Sequence, residues 1–312
     1  MAQLGTTDLD IYPLCLGGNV FGWTSNRNES FLVLDAFTAA GGNLIDTADA
    51  YSAWVPGHSG GESETILGEW MASRANRDRV FIATKVAKLP QRPGLSASNI
   101  RAAAEDSLRR LQTDHIDLYY AHHDDTEVPL EETLAAFDEL VRAGKVRHLG
   151  ASQYTAPRLA EALEISEREG LARYQVVQPH YNLVEREHYE GDLADLCVRE
   201  ELGVLPYYAL AMGFLTGKYR PGDQFAGNSP RAAGARGYLN ERGIAILAAL
   251  DEIAAAHAVP VASVALAWLR ARPAIAAPIA SARVPSQLDA LLKSANLDLT
   301  TAEVDTLTAA SE

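Results

Sequence analysis

Residues 43–52 read Asn-Leu-Ile-Asp-Thr-Ala-Asp-Ala-Tyr-Ser, and the other segments can be interpreted outward from this stretch. Leu44 and Ile45 predict the end of a short buried strand. Asp46 comes where that strand gives way to a loop, and Tyr51 follows on the loop itself. A carboxylate at a strand end with a phenol just beyond it is typical of a proton-handling site if a cation joins them. Alone, the stretch fits a solvated turn with an Asp cap equally well.

Short apolar runs of the same kind recur along the chain, with amphipathic segments between them. The predicted strands are Leu14–Gly17, Asn43–Ile45, Val80–Thr84, His115–Tyr120, Val146–Ala151, Tyr174–Gln178, Val204–Tyr207 and Ile275–Ile279. The predicted helices lie near residues 29–40, 62–73, 97–111, 131–142, 156–169, 186–201, 239–257, 261–271 and 285–295. Strict alternation of strand and helix predicts parallel strands covered by helices. Eight such units favour a closed (β/α)8 TIM barrel over an open doubly wound sheet.

Two further features decorate the predicted barrel. Residues 3–11 predict an N-terminal hairpin, with its turn around Thr6-Thr7-Asp8. The longest irregular stretch, Ala211–Gly237, follows the seventh strand and is expected to lie over the active face. No linker or change of composition divides the sequence, so residues 1–312 are predicted to form a single barrel domain.

The composition narrows the possible partners. The chain has 312 residues, with 27 Lys and Arg against 41 Asp and Glu, a formal charge of −14. This charge argues against a nucleic-acid or anionic-membrane surface, so any anionic ligand must be met by a local cluster of cations. Cys15 and Cys197 have no metal-ligand spacing and indicate a reducing compartment. The sequence shows no signal-peptide pattern and no apolar run long enough to span a membrane, so we expect a cytoplasmic enzyme. Its expected substrate is a small molecule, and its oligomeric state is left open.

Catalytic groups in a barrel come from the C-terminal ends of several strands. Asp46, Lys85 and His122 end the second, third and fourth predicted strands, and Tyr51 lies on the loop after the second. We expect Asp46 to pair with Lys85 and the Lys85 ammonium to lie against the Tyr51 hydroxyl. That cation is expected to lower the pKa of Tyr51 from its usual value of about 10 and make it a general acid. His122 is expected to donate to the same substrate oxygen.

Each of these residues also has a simpler interpretation. A Lys that ends a strand, such as Lys85, is usually solvated. His122 could equally be an ordinary loop residue or a weak metal ligand. Asp46 could complete such a metal site. The adjacent Lys85 argues against a metal cation there, and no metal is predicted.

At this point the chain resembles the aldo-keto reductase family over roughly residues 3–295. The matching motifs are Gly-Gly-Asn-Val-Phe-Gly (17–22), Ile-Asp-Thr-Ala-Asp-Ala-Tyr (45–51), Glu-Ser-Glu-Thr-Ile-Leu-Gly (62–68), Ile-Ala-Thr-Lys (82–85), Asp-Leu-Tyr-Tyr-Ala-His (117–122), Gly-Lys-Val-Arg-His-Leu-Gly-Ala-Ser (144–152) and Gly-Phe-Leu-Thr-Gly-Lys-Tyr (213–219). Each motif is weak alone, but seven in order are specific. The resemblance implies that Asp46, Tyr51, Lys85 and His122 are the family's catalytic tetrad. The long loop after strand seven is similar to bacterial branches of the family and to potassium-channel β subunits.

The resemblance also implies NADP(H) bound without a Rossmann fold, and no Gly-x-Gly-x-x-Gly follows the first strand. Residues 213–218 differ from a P-loop because three residues, not four, separate the glycines. The family pattern assigns Ser152 and Gln178 to the nicotinamide carboxamide, Tyr207 to the nicotinamide ring, Asn19, Val20 and Phe21 to an approach from strand one, Leu210, Met212, Gly213, Gly217, Lys218 and Arg231 to the pyrophosphate, and Ser281, Arg283 and Gln287 to the adenosine 2′-phosphate.

The predicted function is NADP(H)-dependent reduction of aldehydes or ketones to alcohols, or the reverse, with Tyr51 as the acid. Trp23, Trp54 and His123 lie on loops at the same face and are candidate walls of a partly apolar carbonyl pocket, with ordinary loop packing as the alternative. Two other functions remain open. One is a slow, cofactor-binding regulatory subunit of the channel β-subunit type. The other, a Tyr-x-x-x-Lys reductase on an open sheet, is disfavoured by the missing dinucleotide fingerprint.

Overall fold

The structure is a computed structural model that describes residues 1–222 and 230–312. Within these ranges the chain forms a two-stranded antiparallel hairpin and an eight-stranded parallel sheet. The strands are β1 (Ala2–Gln3), β2 (Asp10–Ile11), β3 (Cys15–Gly17), β4 (Leu44–Asp46), β5 (Phe81–Val86), β6 (Ile116–Ala121), β7 (Val146–Ser152), β8 (Tyr174–Gln178), β9 (Gly203–Val204) and β10 (Ile279–Ala280). The order in the sheet is β10-β3-β4-β5-β6-β7-β8-β9. The predicted barrel class and the hairpin are confirmed.

Helices lie between the strands and cover the sheet. They are α1 (Arg27–Ala39), α2 (Glu62–Arg74), α3 (Ala97–Leu111), α4 (Leu130–Arg142), α5 (Ala156–Glu169), α6 (Asp192–Arg199), α7 (Ala232–Arg236), α8 (Glu241–His257), α9 (Val261–Arg270), α10 (Leu288–Ser294) and α11 (Thr301–Ala310). Local chemistry sets several of their starts. Asn26 and Glu29 form a capping box before α1, and Thr155 caps α5, which has Pro157 in its first turn.

The last two barrel strands are shorter than predicted. The predicted strands Val204–Tyr207 and Ile275–Ile279 contain Pro206 and Pro278, which cannot donate a ladder hydrogen bond. The sheet still closes on itself, because Val204 pairs with Ile275 through a parallel bridge.

Some helices also differ from the prediction. Helix α6 begins at Asp192 rather than at residue 186, because Gly191 precedes it with a φ of 91°. The predicted helix 285–295 starts as a 3-10 turn, and α10 proper is short. The stretch Ala211–Gly237 is not wholly irregular, since it holds a 3-10 turn at 211–216 and α7; its residues 223–229 lie outside the described part of the chain.

The hairpin and the barrel interior determine which end of the barrel holds the site. Leu4, Leu9 and Ile11 of the hairpin segment are buried with the inward side chains of the barrel. Gly150 leaves room for the interior ring of Tyr120, since a Cβ at residue 150 would lie 2.3 Å from that ring. The hairpin therefore closes the N-terminal end, and the opposite end carries the strand-end side chains.

Among the described residues, no single helix is long and apolar enough to cross a membrane, although α8 and α9 pass that test as a pair bent by 98°.

Candidate active site

Four predicted residues meet at the C-terminal ends of neighbouring strands. Asp46 ends β4, Lys85 lies in β5, His122 follows β6, and Tyr51 lies on the loop after β4. The Lys85 ammonium donates to Asp46 Oδ2 at 2.7 Å and to the Tyr51 hydroxyl oxygen at 3.0 Å. The ring centres of Tyr51 and His122 lie 6.0 Å apart, edge to face. One ammonium therefore joins the carboxylate and the phenol beside an imidazole.

The Asp46–Lys85 ion pair is buried, with side-chain exposures of 2% and 0%. Lys85 also donates to the Thr47 carbonyl at 2.7 Å, and Gln178 donates to Asp46 Oδ1 at 2.8 Å. A buried ion pair recovers its desolvation cost only when further hydrogen bonds satisfy both partners. Those further bonds are present, so the pair is held in one arrangement. The Thr47 carbonyl was not anticipated, since a backbone acceptor leaves no signal in the sequence.

The acidity of Tyr51 differs from the prediction. Its hydroxyl donates to Asp46 Oδ2 at 3.2 Å. Burial, followed by the Asp46 carboxylate, raises the pKa of Tyr51 well above its usual value. The expectation of a lowered pKa is therefore wrong, because burial disfavours the phenolate and the Asp46 carboxylate accepts a hydrogen bond from the phenol hydroxyl. Tyr51 holds its proton across the physiological range.

His122 is a neutral imidazole in this setting. Burial lowers its pKa well below the usual value, and the charges of Lys85, Lys88 and His123 act in the same direction. Its buried Nδ1 has no hydrogen-bond partner among the described residues. A neutral imidazole carries one donor and one acceptor nitrogen. Because no hydrogen bond at Nδ1 fixes the tautomer, Nε2 can either donate a hydrogen bond to a ligand or accept one from it.

The residues assigned to the nicotinamide end lie around this cluster. Ser152 Oγ donates to the backbone carbonyl of Gln178 at 2.9 Å, and the Gln178 side-chain amide donates to Asp46, so both strand-end side chains are engaged with neighbours. The Tyr207 ring stacks on His180 with ring centres 5.2 Å apart. On the strand-one side, Ser281 donates to Asn19 Oδ1 at 2.8 Å, while Val20 and Phe21 are buried.

The residues assigned to phosphates lie in two segments, one around 210–218 and one at 281–287. The Arg283 amide donates to Gln287 Oε1 at 2.8 Å, and no carboxylate among the described residues pairs with the Arg283 guanidinium. Lys218 is exposed, with its ammonium 5.0 Å from the Tyr219 ring centre. Between Leu210 and Lys218, Met212, Gly213 and Gly217 all have positive φ angles, of 57°, 93° and 75°. The glycines suit this tight turn because they lack a Cβ.

Aromatic side chains stand beside Tyr51. The Trp54 ring centre is 6.2 Å from that of Tyr51 and 5.4 Å from that of Trp23. The Arg231 guanidinium lies 5.6 Å from the Trp23 ring centre. Trp23 and Trp54 are therefore packed against each other next to the phenol, an arrangement that both a substrate pocket and ordinary loop packing allow. His123 instead uses its Nδ1 on the Asp124 carbonyl of its own loop.

Asp49 is a buried carboxylate on the Tyr51 loop that the sequence analysis passed over. It is 1% exposed, and neither oxygen has a hydrogen-bond partner among the described residues. Burial, followed by the charge of nearby Glu64, raises its pKa to about 7. The folded protein therefore favours protonated Asp49.

This raised pKa predicts a pH-dependent stability. Asp49 keeps its proton up to about pH 7 when folded but loses it near 3.8 when unfolded. The free energy of unfolding should therefore fall between those values as pH rises, on the order of 4 kcal/mol from this group. Asp49→Asn should remove that part of the decline and be the more stable protein above pH 7. Urea unfolding across this range, with Asp298→Asn at an exposed site as control, measures it. A wild-type-minus-mutant difference that does not change with pH would contradict the assignment.

Comparison with known proteins places these features in context. A sequence model of the Aldo/keto reductase family matches residues 13–312. The chain is 33% identical to norsolorinic acid reductase B of Aspergillus parasiticus, over 97% of this chain and 81% of that protein. It is 32% identical to the protein tas of Escherichia coli strain K12, over 94% and 92%. It is 30% identical to the aryl-alcohol dehydrogenase GME11368 of Pestalotiopsis microspora, over 94% and 77%.

Proposed function

We propose, from the premise that this chain belongs to the aldo/keto reductase family, that it reduces an aldehyde or ketone with NADPH and oxidises the alcohol in reverse. The observation that carries the proposal is the contact of one buried ammonium, that of Lys85, with both Asp46 and the Tyr51 hydroxyl. The reductase and dehydrogenase names of two relatives support a carbonyl–alcohol reaction.

The residues at the barrel mouth fit NADP(H). In a chain of charge −14, Arg283 keeps a guanidinium without an acidic partner among the described residues. An unpaired cation of this kind suits a phosphate, which a guanidinium binds bidentately. We assign Arg283, Ser281 and Gln287 to the 2′-phosphate, and Lys218 with the backbone at Gly213 and Gly217 to the pyrophosphate. Arg231, which has no carboxylate partner among the described residues, is assigned to the same pyrophosphate clamp.

The nicotinamide end is assigned to residues at the strand ends. Ser152 and Gln178 would hydrogen-bond the nicotinamide carboxamide in place of their present protein partners. Asn19, Val20 and Phe21 approach from the strand-one side, Tyr207 offers a ring face for stacking, and Leu210 and Met212 flank the turn. When bound, the cofactor supplies a hydride to the carbonyl carbon.

The protein's own residues carry out proton transfer to the substrate oxygen. Tyr51 gives its proton to the carbonyl oxygen, and its raised pKa keeps it protonated until then. Negative charge on the phenol oxygen is met by the Lys85 ammonium 3.0 Å away. Asp46 fixes that ammonium in place, and neutral His122 donates a hydrogen bond to the substrate oxygen without competing for its proton. The Trp23 and Trp54 rings lie on one side of the phenol and offer an apolar surface to the substrate.

A panel of aldehydes and ketones tests the function. With NADPH present, we expect at least the aromatic aldehydes to be reduced, with NADPH oxidation followed by absorbance. Tight NADPH binding without oxidation by any member of the panel would contradict an enzyme and favour a cofactor-binding regulatory subunit.

Cofactor preference gives a separate prediction for Arg283. Hydrogen bonds to charged groups contribute roughly 1.5–3 kcal/mol, so Arg283→Ala should raise the NADPH dissociation constant about 10–150-fold. NADH lacks the 2′-phosphate, and its dissociation constant should change much less. Fluorescence titration of both cofactors measures these dissociation constants, with Arg109→Ala, at an exposed position of α3, as control. Equal losses for NADH and NADPH would mean that Arg283 acts on the adenosine or on the fold.

A further inference from the structure

The imidazole of His180 stacks on two other rings near the residues assigned to the nicotinamide. Its ring centre lies 5.2 Å from that of Tyr207 and 5.8 Å from that of His188, and the ring planes are only 20° and 16° from parallel. His180 follows the end of β8, at Gln178, by two residues. The stacked rings therefore extend from the strand ends of the proposed carboxamide site to His188, which is exposed.

The backbone fixes the His180 and Tyr207 rings relative to each other. The Tyr207 amide donates to the Pro179 carbonyl at 2.9 Å, and His180 and Tyr207 form a parallel β-bridge. Bridged residues project from the same face of a sheet, so their side chains become neighbours. The Asn182 side chain adds a hydrogen bond to the Tyr208 carbonyl at 3.0 Å. The two rings are thus held by the chain segments that follow β8 and β9.

Hydrogen bonding does not explain an imidazole at residue 180. Its Nε2 is buried and has no hydrogen-bond partner among the described residues. A buried polar atom without a partner is uncommon in folded proteins and costs free energy. The described contacts that position the imidazole are those of its ring, stacked on Tyr207 and edge to face with Tyr208 at 5.3 Å.

The charge state of His180 is set by groups from two loops. Burial lowers its pKa, the Glu185 carboxylate opposes this shift, and His188 adds to it. From the loop after β9, the phenols of Tyr207 and Tyr208 face the imidazole. Burial raises the pKa of Tyr207 to about 12, so this phenol is neutral. His180 is therefore neutral near pH 7 and becomes a cation in acid.

We propose that His180 is a positioning residue for the nicotinamide, packing on one face of Tyr207 so that the other face receives the cofactor, and that a proton on His180 opposes binding of the oxidised, cationic nicotinamide. This inference rests on the proposed function and adds a pH-dependent control of cofactor release. A neutral imidazole leaves the Tyr207 face able to attract a cation. A protonated imidazole places a like charge across one ring, and the two charges repel. Acid therefore favours release of NADP⁺ over release of NADPH, whose nicotinamide is uncharged.

The pH dependence of NADP⁺ binding tests the proposal. The reference ligand is 2′-phospho-ADP-ribose, which has the same phosphates but lacks the nicotinamide, so the ratio of dissociation constants, NADP⁺ over reference, isolates that ring. From pH 8 to pH 5.5 the ratio should rise about 2–10-fold in the wild type, the scale of repulsion between two charges separated by one ring near a protein surface. In His180→Phe, which keeps a ring that cannot be protonated, the ratio should stay nearly constant. Calorimetric titration at each pH gives both constants.

Two further variants separate the stacking from the charge. His188→Phe is the matched control, because it removes the other stacked imidazole and keeps His180; it should retain the wild-type rise. His180→Ala removes the ring that packs on Tyr207. Loss of an aromatic pair should raise its NADP⁺ dissociation constant about 2–12-fold at pH 8 and leave that of the reference ligand unchanged.

The contrary outcomes are distinct. A wild-type ratio that does not change with pH, or the same rise in His180→Phe, would overturn the role of the proton. Equal NADP⁺ affinity in His180→Ala and the wild type at pH 8 would overturn the positioning role. Binding of neither ligand by the wild type would instead overturn the proposed function, on which the inference rests.

Nuclear magnetic resonance of the wild-type imidazoles gives a readout that needs no variant for its measurement. Because a nearby cation disfavours protonation, one histidine should titrate at lower pH with NADP⁺ bound than with 2′-phospho-ADP-ribose bound. Its signal should be the one lost in either variant at residue 180. Histidine titrations that are identical with the two ligands would contradict the coupling.

Discussion

Tyr51→Phe is expected to lower kcat for aldehyde reduction by about 10²–10⁴-fold, the usual contribution of general acid catalysis. Phe keeps the ring that packs against Trp54 and His122 and removes only the hydroxyl. Because the ring stays, the NADPH dissociation constant should remain nearly the same. Steady-state kinetics and a fluorescence titration on the same preparation separate the two effects.

The control for this variant is Tyr12→Phe, which removes a phenol whose ring packs on Phe37, away from the tetrad. It should have wild-type kinetics. If Tyr51→Phe kept most of its turnover, another group would have to supply the proton, and the role given to Tyr51 would be wrong.

Lys85→Met is expected to cost about 3–5 kcal/mol of folding stability, because it leaves the Asp46 carboxylate buried without its cation. The cost should depend on pH in a defined direction. An unpaired buried carboxyl group has a raised pKa. At low pH the protein folds with this group neutral, whereas at high pH folding must either bury an unpaired charge or keep the group protonated, and both cost free energy. The loss should therefore be small near pH 4 and complete near pH 8. Urea unfolding at both pH values measures it.

The matched variant is the double substitution Asp46→Asn with Lys85→Met. It removes both charges together, and replacement of a complete buried pair is often close to neutral for stability. The double variant should regain most of the stability lost in Lys85→Met. It should also remain inactive, because no ammonium is left beside the Tyr51 hydroxyl. A Lys85→Met protein as stable as the wild type at pH 8 would contradict the buried pairing.

The meeting of Asp46, Lys85, Tyr51 and His122 could be predicted because parallel strands bring their C-terminal ends to one side of a barrel. Asp46 and Lys85 lie 39 residues apart in sequence, yet adjacent strands bring them together. The sequence also shows which strand ends carry polar groups. It does not show how deeply the phenol is buried or that its hydroxyl donates to Asp46, and the acidity of Tyr51 was mispredicted for those reasons.

Other features depended on tertiary contacts or on local signals that were overlooked. Gln178 donates to Asp46 from 132 residues away, and nothing in either segment predicts that pairing. Arg231, the residue before α7, lies near Trp23. The sequence did not predict α7, because the glycines of this stretch indicated an irregular loop. Helix α11, by contrast, was predictable, since Thr300 and Glu303 form a capping box that is visible as Thr-x-x-Glu.

Hydride transfer is the central claim, and transfer of deuterium tests it most directly. The wild-type protein is given an aromatic aldehyde and NADPH deuterated at nicotinamide C4 on the transferred side, with each side labelled in turn, and the alcohol is examined by mass spectrometry. We expect one of the two labelled cofactors to place a single deuterium on the carbinol carbon, with one alcohol formed for each NADPH oxidised. Alcohol formed without deuterium from either cofactor, or NADPH bound but never oxidised, would contradict it.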